Sequence, residues 1–79
     1  MYLTYDPEAD AVYIYLRDVP VATTHDIDHA RIIDFGADRQ PRGIELLNVS
    51  KGVNLSDLPE RDAVAGLLAE HHIPVLSTT

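Results

Sequence analysis

The stretch TYDPEADAVYIYLRD, residues 4–18, decides the fold. Its first part is a turn crowded with carboxylates, and its second is built for a strand. Asp is favoured at the first position of a turn and Pro presets φ at the second, so Asp6-Pro7 opens a bend. Residues 11–17, Ala-Val-Tyr-Ile-Tyr-Leu-Arg, are β-branched and aromatic and alternate at period two. Val12, Ile14 and Leu16 share one face; Tyr13, Tyr15 and Arg17 share the other. Both faces carry apolar bulk, which predicts a central strand with neighbours on both sides.

Outward from this segment, residues 2–5 read as a first strand paired across the turn. Asp18-Val19-Pro20 breaks the chain. Residues 21–28 form a more polar strand, whose acids suit an exposed edge. Residues 31–35, Arg-Ile-Ile-Asp-Phe, are a further strand, and Gly36 to Pro41 a hairpin loop. Residues 42–49 make a fifth strand, with Ile44 and Leu46 on one face and Leu47 and Val49 on the other.

The period then changes. Asp57-Leu-Pro-Glu60 fits a capping box, with Asp57 as N-cap and Glu60 reaching back. Leu58, Val64, Leu67, Leu68 and His71 follow at helical spacing, so a helix is predicted over 57–72, stopping before Ile73-Pro74. Residues 73–79 read as an extended or frayed tail. The expected fold is α+β and a single domain over 1–79. An antiparallel β-meander of four or five strands (2–49) is followed by one C-terminal helix packed on one sheet face. Val12, Ile14, Ile32 or Ile33, and Leu46 are the natural residues for the helix to cover.

The bulk numbers agree with a small packed domain. Seventy-nine residues with 46% hydrophobic content support a core. So short a chain buries only roughly 60–65% of its unfolded surface, which favours borrowing surface from a partner. Cysteine is absent, so no disulfide or thiolate contributes. The longest apolar runs fall far short of the ~20 residues a membrane span needs. The first residues lack the basic start and apolar stretch of a signal peptide, so a cytoplasmic protein is expected. A net charge of -7 repels phosphate backbones and argues against nucleic acid. It simply keeps a small protein soluble, or it favours basic protein partners.

The runs YDPEADAVYIYLRD and IIDFGADRQPRGIELLNVSKG resemble a family of small bacterial proteins, the domain of unknown function 2283 family. The resemblance covers about residues 2–51 and implies a small β-rich fold, bacterial or archaeal, with no established activity. Residues 52–79 rest on periodicity alone.

Chemistry is sparse. Asp6, Glu8 and Asp10 sit at alternate positions as in a calcium loop, but such a loop needs a central Gly and a terminal bidentate Glu. The sequence supplies apolar strand residues there instead. The turn reading is preferred, with Asp6 accepting from backbone N–H groups and Asp10 closing the bend. His25 and His29 have the H-x-x-x-H spacing that converges on a helix, yet their segment reads as strand and turn. A metal-binding protein or small metal-dependent hydrolase using His25, His29 and nearby Asp is the alternative reading. Alternation points His25 and Asp26 apart, which defeats a triad with Thr23 or Thr24. No cofactor is expected, and the chain reads as a non-catalytic protein-interaction module. Tyr13, Tyr15, Leu47 and Val49 form the expected interaction face of a homo-oligomer, a dimer in its simplest form. Asp6, Glu8, Asp10, Asp26 and Asp28 form an acidic patch for a basic protein. An acidic antitoxin that neutralises a basic toxin is the concrete form of that expectation.

Overall fold

The computed structural model describes residues 1–76. Five strands, β1 (Tyr2–Asp6), β2 (Ala11–Tyr15), β3 (Thr23–Asp28), β4 (Arg31–Phe35) and β5 (Pro41–Leu47), form one antiparallel sheet. A 3-10 turn (Val49–Lys51) and one helix, α1 (Arg61–Glu70), follow. The α+β class and the covering helix are as expected from the sequence.

The strand order is β1-β2-β5-β4-β3. The meander is therefore split: β1–β2 is one hairpin, β3–β4–β5 runs consecutively, and β5 inserts beside β2. Composition explains the choice. β2 is apolar on both faces and needs two neighbours. β3, Thr-Thr-His-Asp-Ile-Asp, offers little to bury and goes to the far edge. β5 brings Ile44 opposite Ile14 and Leu46 opposite Val12.

That register makes one face the core. Val12, Ile14, Ile44 and Leu46 are each at most 1% exposed. They lie under Val49, Val53, Leu55, Leu58, Val64, Leu68 and Ile73. Each such side chain contributes about 1.5–3 kcal/mol by burial. The helix supplies only Val64 and Leu68 of this roof. The irregular segment before it and the tail after it supply the other five. Ile73 is buried, and Val75 forms a parallel bridge with Val53. The segment 73–76 is thus tied to the domain; the rest of the expected tail, 77–79, lies outside the described residues.

The helix is shorter than the 57–72 expected, and the capping box does not form. Pro59 disfavours helical backbone at Leu58. Asp57 (φ 62°) and Glu60 (φ 54°) both adopt left-handed conformations, and Glu60 is the N-cap with no side-chain capping bond. At the other end His72 (φ 58°) takes the left-handed position after the C-cap His71. His72 N–H donates to Ala69 O at 3.1 Å, and Ile73 N–H to Leu68 O at 2.9 Å. This is the Schellman pattern, with Ile73 and Leu68 in its hydrophobic contact positions. Among the described residues no helix is long and apolar enough to cross a membrane.

Candidate interaction face

Among the described residues, none roofs the opposite sheet face. Cross-strand register places three rows on it. One row runs Tyr2, Tyr15, Gly43, Asp34, Thr24; the next Thr4, Tyr13, Glu45, Ile32, Asp26; the third begins Asp6, Ala11, Leu47. Period-two alternation predicts Tyr13, Tyr15 and Leu47 together here, and the structure places all three on this face, half-buried.

Val49 is not with them. It is 1% exposed and belongs to the core. Asn48 takes a left-handed conformation (φ 55°), which ends β5, breaks the alternation and starts the 3-10 turn that aims Val49 inward. Expecting the strand to run through residue 49 put it on the wrong side.

The aromatic residues form a continuous group. Tyr2 and Tyr15 stack with centroids 4.4 Å apart and planes 10° from parallel; Tyr13 and Tyr15 tilt at 4.7 Å and 59°. The Arg42 guanidinium lies 5.0 Å from the Tyr15 centroid and 5.6 Å from that of Tyr13. Arg42 reaches this face through a β-bulge. The β4–β5 register shifts between Asp34 and Phe35, and the Leu16 and Arg17 N–H groups both donate to Arg42 O. Such a bulge re-aims a side chain that alternation would turn away.

A polar chain crosses the same face. The Tyr13 hydroxyl donates to Asp34 Oδ2 at 2.6 Å and accepts from Arg42 NH1 at 3.0 Å. Thr24 Oγ1 donates to Asp34 Oδ1 at 2.7 Å. Burial, reinforced by the Asp34 bond and opposed by Arg42, pushes the Tyr13 hydroxyl up to about 12. At neutral pH it is a fixed donor, suited to positioning and not to proton abstraction. The ring crosses the sheet because residue 43 is glycine: a Cβ there would collide with it. Sequence reasoning missed Asp34, Arg42 and Thr24. The readable signal was Gly43 inside a strand, which marks a close approach.

The expected acidic patch is divided. Asp6 and Asp10 belong to the β1–β2 turn, with Glu8 between them, while Asp26 and Asp28 sit on β3. β1 and β3 are opposite sheet edges, about 19 Å apart at the usual strand spacing. Three of the five acids also have internal roles. Asp6 Oδ1 accepts from the Glu8 and Ala9 N–H groups. Asp10 Oδ1 accepts from Ser50 N–H at 2.9 Å and its Oδ2 from Ser50 Oγ at 2.7 Å, pinning the turn to the chain after β5. Asp28 accepts from Ala30 N–H and from Arg31, which hold its carboxyl below the usual range. Glu8 and Asp26 remain exposed. The carboxylate turn between β1 and β2 is thus a structural lock.

Arg31, unmarked by the sequence, is buried beneath the roof at 8% exposure. It pairs with Asp28 at 2.9 Å and donates to the carbonyls of Asn54 and Ser56, joining the β3–β4 turn to the irregular segment. At the other end of the sheet Arg17 makes a two-bond pair with Asp38, holding that carboxyl at about 2. His25 faces the roofed side at the sheet edge and His29 lies in the next turn, both exposed. Among the described residues no three His, Asp or Glu side chains converge as a metal site.

Residues 3–50 match the model of the family described as Protein of unknown function (DUF2283). The chain belongs to that family. The match runs from the second residue of β1 to Ser50, the partner of Asp10, so the DUF2283 match spans the sheet and its turn lock. The helix lies beyond it. No curated protein and no solved structure matches the chain.

Proposed function

We propose that this DUF2283 protein is a non-catalytic interaction module that docks a basic protein segment on its open sheet face. The observation that carries the reading is the asymmetry of the sheet. Everything from Val49 to Ile73 that is buried covers one face, while Tyr2, Tyr13, Tyr15 and Leu47 line the other with no covering element among the described residues. Half-apolar faces of this kind mark contact surfaces.

Charge selects the partner. The same face carries Asp6, Asp26, Asp34 and Glu45 against Arg42. Two such faces would repel each other, whereas arginine side chains fit both features: their planes stack on Tyr rings and their forks match carboxylates. The whole chain at -7 steers the encounter in the same sense.

A labelled peptide alternating arginine and leucine tests this by fluorescence anisotropy. Tyr15→Ala and Glu45→Lys should each weaken binding about tenfold, the size of one good contact. Asp62→Lys, on the exposed side of α1, should change it little. Equal losses for Glu45→Lys and Asp62→Lys, with none for Tyr15→Ala, would mean bulk attraction to an acidic protein, and the reading would fail.

A further inference from the structure

We infer that two copies of this chain pair through β1, antiparallel about a two-fold axis at Thr4, joining their five-stranded sheets into one. The two edges of the sheet differ. β3 carries Asp26 and Asp28 and a bulge between them, devices that keep an edge from pairing. β1 reads Tyr-Leu-Thr-Tyr-Asp, with no bulge in its ladder and charge only at its last residue. Met1, Tyr2 and Tyr5 are 51%, 58% and 47% exposed, so half of the large exposed apolar side chains gather at this one edge.

A second copy fits this edge better than an arbitrary strand. A two-fold axis normal to the sheet keeps like faces on the same side, so residues pair with partners of equal parity. Centring it on Thr4 is the only such register that overlaps all of Tyr2–Asp6. Leu3 then meets the other copy's Tyr5 on the roofed side, giving the exposed Tyr5 ring an apolar neighbour. Tyr2 meets Asp6, a hydroxyl donor beside a carboxylate, and Thr4 meets Thr4, a favourable cross-strand pair. No two carboxylates face each other. Because β3 is blocked, each copy has one pairing edge and assembly closes at two. The open faces then become one continuous platform, although this pairing stands independently of what that platform binds.

The natural absence of cysteine makes a direct test clean. In Thr4→Cys the two thiols face each other across the axis, with Cα atoms about 4.5–5.5 Å apart, within disulfide reach. Mild oxidation should give a covalent dimer, while Thr24→Cys on β3 should stay monomeric. Sedimentation equilibrium of the unaltered chain should give twice the chain mass, and Thr4→Lys, folded by circular dichroism, the single mass. Equal cross-linking at both edges, or a single-chain mass for the unaltered protein at every concentration, would overturn the pairing.

Discussion

The Tyr13 hydroxyl donates to Asp34 Oδ2 at 2.6 Å, across a glycine that lets the ring lie on the sheet. This bond joins β2 to β4 over the top of β5 and fixes the aromatic side of the open face. It also sets a pH dependence. The folded chain keeps the Tyr13 proton up to about 12, against an ordinary 10. Between those values the native state binds more protons than the unfolded state, so stability falls as pH rises. The contribution is fully present below pH 10 and lost on passing 12. Tyr13→Phe should cost about 1 kcal/mol at neutral pH. Urea unfolding should show the gap between wild type and Tyr13→Phe closing across that window.

Arg31 is the chief polar tie between sheet and roof. Its removal leaves the Asn54 and Ser56 carbonyls and Asp28 Oδ2 without their Arg31 donors. Arg31→Ala should destabilise by about 2–3 kcal/mol, read from the urea midpoint. Arg31→Lys should recover only part of this, because one ammonium cannot reproduce the guanidinium fork.

His72 occupies a left-handed position that glycine adopts without strain. His72→Gly should raise stability by about 0.5–1 kcal/mol, seen as a higher melting temperature. A loss would mean that the C-terminal turn depends on the His72 side chain.

Gly52 is the converse case. Its φ is 96°, and a Cβ there would press on Leu76 where the tail pairs with Val53. Gly52→Ala should cost about 1–3 kcal/mol. Proteolysis should cut the C-terminal segment sooner in this variant than in wild type.

Much of this architecture was legible in the sequence, and the misses have physical causes. Alternation in Ala11–Tyr15 gave both the strand and the shared face of Tyr13 and Tyr15, because parity is a local property. The place of β5 beside β2 was not local: it follows from comparing which strand has most to bury. Val49 was misplaced because one left-handed residue, Asn48, reverses a parity count. The capping box failed because Pro59 acts on Leu58 more strongly than Asp57 and Glu60 can reward a helix there. Asp34 and Arg42 meet Tyr13 from strands distant in sequence, one of them through a bulge, so no spacing rule reaches them.

In the proposed complex the open face, and not acidity in general, holds the basic partner. Amide chemical-shift mapping during titration with the arginine–leucine peptide tests it most directly. The largest shifts are expected at Tyr13, Tyr15, Asp34, Glu45 and Leu47, saturating together, with Asp62 and Glu70 on the helix unmoved. Shifts spread evenly over both sets of acids, or centred on the helix, would contradict it.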